Sequence, residues 1–594
     1  MEAFITWLRE LLSDFDLSLS ENFFSYIVQY TRIILPILAV WVLFRCMRSL
    51  LRENYESEIW GYFIFPDETR IPMRHWECTI GRSSSSDIIL SDEEVSRSHA
   101  VVLRDDDGNF AVYDLNSKGG VRVNGLSVSP QGAKLEDGDL ISIAGVIIEF
   151  IALTEEEQAA VGVSRTVPGK IINPGATFFI LTVFMAVIAL QHTISADAQY
   201  SLSIALSFGT LCAMMWCYYL VMRSMRRMGF ELEAIAFLLC TLGLSVVATS
   251  VPSDMTKQIL LLSAGIMLYL VLGFWQRDLG RAKSMRWPAG VFAVVLLAVN
   301  LLIGQETFGA RNWISVFGFQ FQPSELVKIL YIYAGTATLD RLYMGRNLFL
   351  YIAFSAVCVG ALALMGDFGT ALIFFATFLV ISYMRSGNLA TIFLAVTGAG
   401  LGGMLMFTIK PHIAQRFSTW GHIWEFANAE GYQQTRALSA AASGGLFGQG
   451  AGMGWMNQIV AADTDLVFSI LCEELGLIIA VIAVIAILIM AAFAVHSAAR
   501  GRSAFYVIAA CASASLLMIQ MALNVFGCLD ILPFTGVTFP FVSKGGSSLI
   551  ACWGLLAFIK AADTRKNASF TIKILSRRKL SEILDAEVES FDEE

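Results

Sequence analysis

Charge is scarce in this chain of 594 residues: only 15% are Asp, Glu, Lys or Arg, where a soluble domain carries roughly a quarter. With 56% of residues apolar and a mean hydropathy of +0.63, that scarcity excludes an ordinary soluble enzyme. Basic residues are not in excess either. Against 50 Asp and Glu there are 41 Lys and Arg, a net charge of −9, which is the wrong sign for a phosphate-backbone surface, so no nucleic acid is expected as a partner. No CxxC and no paired histidine ligands accompany the 10 cysteines, which sit mostly inside apolar runs. They read as small hydrophobes, not as a zinc site or a disulfide framework. The N-terminal segment 1–22 carries acids where a signal peptide would have its basic region, and is read as mature chain.

What is abundant is the apolar run of about 20 residues, the length that crosses ~30 Å of hydrocarbon. About 13 such spans are counted: an anchor at 23–47, a pair within 173–222, and ten within 223–563, near 232–251, 257–275, 287–304, 323–339, 348–366, 368–384, 388–408, 466–496, 503–527 and 540–559. Lys and Arg concentrate in the short loops 223–229, 276–286, 340–346, 384–387 and 499–502 and in the tail 564–594. These segments, with residues 47–172, are therefore expected on the cytoplasmic side, and 305–322, 409–465 and 528–539 outside. A connection as long as 409–465 is the first place to look for chemistry.

Residues 59–153 break the membrane pattern with short runs rich in Val, Ile, Tyr and Phe separated by Gly, Asp, Asn and Ser, the pattern of an all-β sandwich. A linker, 154–172, follows. Within the insert, GRSSSSDIIL (81–90), VSRSHA (95–100), NSKGG (116–120) and VNG (123–125) occur in order. Together they resemble a forkhead-associated (FHA) domain. Chemically, a loop-mounted Arg beside a Ser hydroxyl makes a phosphate pocket. The resemblance implies that Arg82 and Ser96 bind phosphothreonine on a cytoplasmic partner protein, with Arg97, Lys118 and Asn124 assisting and His99 structural. Gly119 stands where the family usually has Asn.

Polar clusters interrupt the ten-span block, where burying charge is costly and marks a cavity or a partner. They are GARNWI (309–314) running into FQPSELVK (321–328), and DFGTA (367–371). In the long outer segment come Gln415, Arg416, GYQQ (431–434) and SGGLFGQG (443–450), then DTDLVF (463–468) with EELG (473–476), and last LPFTGVTFPFVSKGGSS (532–548). In that order these motifs resemble the SEDS family, the FtsW/RodA/SpoVE group. The resemblance implies a polytopic α-helical membrane protein of the bacterial plasma membrane. It further implies an enzyme that polymerises lipid II into glycan strands at the outer face, releasing undecaprenyl diphosphate, beside a class B penicillin-binding protein as transpeptidase.

Glycosyl transfer needs a carboxylate to take the proton of the attacking hydroxyl and a means of stabilising the departing diphosphate. Asp465, where the long outer segment meets a span, matches the family's essential aspartate and is assigned as general base. Arg311, Lys328 and Arg416 are the cations expected around the diphosphate, directly or through a divalent metal such as Mg or Mn. No organic cofactor is expected. Trp313 and Glu325 match cavity positions, and Glu473 and Glu474 lie deeper on the Asp465 helix, with at least one expected to face the cavity. For Arg311, Lys328, Glu473 and Glu474 the alternative is an internal ion pair that fixes helix register. Some positions depart from the family pattern: Asp463 replaces a His, with like-charge repulsion toward Asp465 expected, and Lys544 replaces a Tyr in a loop where a cation could meet phosphate or simply sit in solvent. Met365 and Gly366 likewise replace a Gln-Pro pair. A lipid-linked precursor transporter and an inactive membrane scaffold are the alternatives.

Overall fold

The computed structural model describes residues 17–52, 59–153, 173–339, 345–386, 411–498 and 501–571, except 84, 85, 106, 107, 308, 317, 318, 502 and 566, together with scattered residues between 389 and 404. The linker 154–172, most of the tail and the greater part of the expected 388–408 span lie outside the described residues.

The anchor is α1 (Leu17–Arg52), apolar enough to cross a bilayer over Tyr30–Leu50. The insert folds as expected. Strands β1 (Gly61–Ile64), β2 (Arg70–Met73), β10 (Asp139–Ile143), β11 (Val146–Ala152), β7 (Val121–Val123) and β8 (Leu126–Ser127) form one sheet in the order β2-β1-β11-β10-β7-β8. The other runs β4-β3-β5-β6-β9, with β3 at Glu77–Gly81, β4 at Ile88–Ile89, β5 at Ala100–Arg104, β6 at Phe110–Asp114 and β9 at Ala133–Leu135. Alternate residues point inward, and Phe63, Ile80, Val102, Val112, Ile141 and Phe150 make the core between the sheets. The sandwich touches the helical body at its β2–β3 turn. There His75 Nδ1 donates to Gly501 O at 2.7 Å and Trp76 packs on the helices.

The helical body begins with α2 (Pro174–Ser195) and α3 (Ala198–Ser224), then α4 (Glu231–Ser250), α5 (Met255–Trp275), a short α6 (Leu279–Ser284) and α7 (Arg286–Ile303). A three-stranded sheet β12 (Gln305–Thr307), β13 (Ala310–Val316) and β14 (Phe319–Phe321) precedes α8 (Pro323–Leu339), α9 (Gly345–Met365) and α10 (Phe368–Ser386). The outer segment carries α11 (Pro411–Thr419), α12 (Tyr432–Ser443) and the single turn α13 (Ala462–Asp465). After it come α14 (Val467–Glu474), α15 (Leu477–Ala498), α16 (Ala504–Cys528) and α17 (Gly546–Ala561). Among the described residues nine helices are long and apolar enough to cross a membrane, and Phe368–Met384 and Gly546–Ala561 are shorter apolar helices.

One expected span is corrected. Residues 466–496 are not one helix: Gly476, at φ 90°, breaks the chain, and the membrane-length helix starts at Leu477. The outer loop presses on this break so closely that a Cβ on Gly476 would lie 2.3 Å from Leu446 O. α13 and α14 are thereby folded beneath the loop, apart from the span. The pair α2–α3 is tied to its neighbours by polar contacts. His192 Nε2 meets Ser245 Oγ of α4 at 2.6 Å, Gln191 Nε2 donates to Thr31 Oγ1 of α1 at 2.6 Å, and Arg45 Nε of α1 donates to Thr177 Oγ1 at 3.0 Å.

Candidate functional sites

One candidate site is assembled at α13. Ala461 takes a left-handed φ of 58°, and Asp465 N donates to Ala461 O at 2.9 Å, closing one turn that ends on Asp465. Opposite lies the segment 532–545. Gly536, at φ 67°, brings its backbone so near that a Cβ there would sit 3.2 Å from Asp465 Oδ2, an approach and a conformation suited to glycine. Asn524 of α16 clasps both segments, its Nδ2 donating to Asp465 O at 2.9 Å and to Val537 O at 2.7 Å. Arg416 of α11 donates to Thr535 O at 3.4 Å and is attracted by both Asp465 and Asp367.

Burial raises the Asp465 carboxyl from 3.8 to about 6; the Thr464 hydroxyl and Arg416 favour the ion, while Asp463 and Asp367 disfavour it. Asp367, just before α10, accepts from Thr370 N at 3.1 Å and from Gln322 Nε2 at 3.3 Å. Burial raises its carboxyl as well. The preceding Gly366 takes φ 83°, and a Cβ there would lie 2.8 Å from Gly309 O, so glycine lets the hairpin rest against this turn where the family pattern has proline.

The two departures meet. Lys544 Nζ lies 3.2 Å from Asp463 Oδ2 and 3.0 Å from Asp254 Oδ2. The Lys544 ammonium is thus engaged between two carboxylates. Lys328 and Glu325 are also engaged with each other. Lys328 Nζ contacts Glu325 Oε1 at 2.8 Å and Oε2 at 2.9 Å, and donates to Gln520 Oε1 at 3.0 Å, with both charged residues buried. Gln520 donates onward to Thr538 O and Oγ1 at 3.1 and 2.8 Å. Gln520 and Asn524, four apart on α16, thus brace the 535–538 segment from behind.

Arg311 sits exposed on β13, 3.5 Å from Glu306 on β12, with Trp313 half-buried on the same strand. Of the three expected cations, Arg416 is brought within electrostatic reach of Asp465. Glu473 and Glu474 are buried and hold backbone. Glu473 accepts from Trp455 N and Met456 N, each at 3.0 Å, and Glu474 from Gly452 N at 3.1 Å and Thr249 Oγ1 at 2.8 Å. Burial pushes Glu474 up to about 8. Both carboxyls thus hold backbone of the 450–456 loop, and Glu474 ties it to Thr249 of α4, in keeping with the structural alternative for this pair. Sequence reasoning missed Asp367, Gln322, Asn524 and Asp254 as site residues. A polar pair spaced i, i+4 in an apolar span was the available signal for Gln520 and Asn524.

In the sandwich, the loops after β3, β4 and β6 converge. Arg82 N donates to Ser96 O at 3.0 Å, Ser83 N to Arg97 O at 3.0 Å, and Lys118 N to Ser96 Oγ at 3.1 Å. Arg82, Arg97 and Lys118 are exposed around Ser96. Buried His99 ties the loops together, its Nδ1 accepting from Ser96 N at 3.1 Å and its Nε2 bonding Gly120 O at 3.1 Å. Asn124 is taken out of this group. Its Nδ2 donates to Asp139 Oδ1 at 2.7 Å and its Oδ1 accepts from Leu140 N at 2.9 Å. These partners begin β10 at the end of β7 remote from Gly120, because Val121 pairs with Ile143 and Val123 with Ile141.

Among the described residues no group of three or more His, Cys, Asp or Glu forms a metal site. Asp465 and Asp367 are carboxylates that both attract Arg416. Such a donor set suits Mg only when substrate phosphates complete the shell.

Comparison with known proteins matches these two regions. A family model described as cell cycle protein, FtsW/RodA/SpoVE, matches residues 230–568, and an FHA domain model matches residues 78–144. Peptidoglycan glycosyltransferase RodA of Mycobacterium bovis is 29% identical over 322 residues, 51% of this chain and 69% of that protein. The probable peptidoglycan glycosyltransferase FtsW of Escherichia coli O6:H1 is 30% identical over 300 residues, 48% of this chain and 70% of that protein. A chain from a peptidoglycan synthase complex that coordinates polymerization and crosslinking aligns with a TM-score of 0.48 at 24% identity, covering 56% of this chain and 96% of that one.

Proposed function

Because the chain belongs to the FtsW/RodA/SpoVE family of cell cycle proteins, we propose that it is a peptidoglycan glycosyltransferase that polymerises lipid II at the outer face of a bacterial plasma membrane. The reading is carried by Asp465: a carboxyl raised to about 6, at the head of the outer loops, with Arg416 beside it. Near neutral pH the carboxylate is ionised yet retains enough basicity to accept a proton. As the acceptor sugar hydroxyl attacks the anomeric carbon of the donor, Asp465 takes the hydroxyl proton. The anomeric C–O bond to phosphate breaks, and undecaprenyl diphosphate leaves with the electron pair. Arg416 counters the charge gathering on that diphosphate. A Mg or Mn ion, when bound, would add charge neutralisation between the phosphates and the carboxylates of Asp367 and Asp465.

The test is polymerisation by the purified protein, with a class B penicillin-binding protein present. Wild type is expected to make glycan polymer and Asp465→Asn to lose it by about 100-fold or more. Equal polymer from both overturns the assignment of Asp465. No polymer from either favours a transporter or a scaffold.

The sandwich is proposed to recruit a threonine-phosphorylated cytoplasmic protein through Arg82, Ser96, Arg97 and Lys118. The support is the convergence of these residues on three adjoining loops, with charge-assisted donors suited to phosphate. Arg82→Ala in the full chain is expected to lose phosphothreonine-peptide affinity by at least about tenfold. Equal binding of the unphosphorylated peptide refutes the reading.

A further inference from the structure

We infer that Lys544, clamped between Asp254 and Asp463, is a positioning residue for the general base; this rests on the glycosyltransferase reading of Asp465. Asp254 ends the turn Pro252–Asp254 between α4 and α5, Asp463 lies in α13, and Lys544 lies in the turn before α17. One ammonium therefore joins three elements, 3.0 Å from one carboxylate and 3.2 Å from the other. Side-chain exposures of 24% for Lys544, 17% for Asp463 and 35% for Asp254 put the bridge partly out of water, where an ion pair gains more than on an open surface.

The backbone takes the same course. Lys544 N donates to Asp463 O at 2.8 Å, and Ser543 Oγ donates to Thr464 O at 2.6 Å. An isolated turn such as α13 has no cooperative stability of its own. Its direction, and with it the direction of Asp465, is set by what grips it: residues 543–544 from one side and Asn524 from the other.

Around Asp465 lie Asp463 on its own turn, Arg416 from α11, Asp367 from the start of α10, Asn524 and Cys528 from α16 and Gly536 from 532–545. Without Lys544, the Asp463 and Asp254 carboxylates face each other unbridged, and α13 loses one of the ties that hold its direction.

The experiment uses full-length protein and lipid II, comparing wild type, Lys544→Met, Lys544→Arg, Asp463→Asn and the double variant Lys544→Met/Asp463→Asn. Polymerisation kcat and KM are measured, and each variant is melted in detergent. Lys544→Met is expected to lower kcat by about tenfold with KM within about twofold of wild type, and Lys544→Arg to restore most of the rate. The double variant is expected to be no slower than Lys544→Met, and the melting shifts of the two single variants to be non-additive. An unchanged kcat in Lys544→Met, no rescue by Lys544→Arg, or additive melting overturns the inference. If wild type makes no polymer, the glycosyltransferase reading falls and the positioning role with it, while the melting cycle still reports whether the bridge forms.

Discussion

At the scale of single residues, environment decides what a carboxyl does. Asp465 and Glu473 are both acidic residues near one chain break. Glu473 is tied to two backbone N–H groups, whereas Asp465 keeps its side chain toward Arg416 and Gly536. The raised value of Asp465 makes a stability claim with a definite sign. A carboxyl near 6 when folded and 3.8 otherwise penalises the fold once ionised, so the penalty is absent below about pH 4, grows between about 4 and 6, and is complete above. Asp465→Asn is therefore expected to stabilise the protein by about 3 kcal/mol at pH 7.5 and to leave it unchanged at pH 3.5. Thermal melting at the two pH values checks this, and a loss of stability at pH 7.5 would contradict the assigned burial. The identity of Asp465 was legible from the DTDLVF motif. The bridge from Asp463 to Lys544 was not, since 81 residues separate partners that each read as an isolated departure.

At the scale of elements, periodicity found the strands and most spans but could not see breaks imposed from outside. Residues 466–496 are almost uniformly apolar, and only the press of the 445–448 loop against Gly476 divides α14 from α15. The VNG motif taught the converse lesson. The family resemblance groups it with the phosphate loops, while in the fold Asn124 lies past the far end of β7 and bonds Asp139 and Leu140 at the start of β10. Asn124→Ala is accordingly expected to cost the sandwich about 1–2 kcal/mol through its lost bonds to Asp139 and Leu140. Phosphopeptide affinity should stay within about twofold of wild type, a free-energy change well under the 1.4 kcal/mol of a tenfold effect. Calorimetry on the intact chain separates the two effects, and a large affinity loss would return Asn124 to the binding group.

Across the whole molecule, buried polar contacts join the parts. At the end of the helical body opposite Asp465, Arg565 pairs with Glu231 at 2.9 Å and Asp563 at 2.7 Å, and Ser49 of the anchor donates to Glu231 at 2.5 Å. The anchor, α4 and the start of the tail thus close on one another, and the sandwich rests nearby through His75 and Trp76. Composition and periodicity alone determined that the chain is a membrane protein with a β-sandwich insert. Motif order pointed to its family, because apolar length and residue alternation are local properties. Which charges are free and which are engaged was decided only by tertiary structure. Lys328, Lys544, Glu473 and Glu474 look alike in sequence to Arg416 and Asp465, but a charge near the membrane takes whatever partner the fold brings within about 3 Å, and those partners come from distant segments as well as from the same helix.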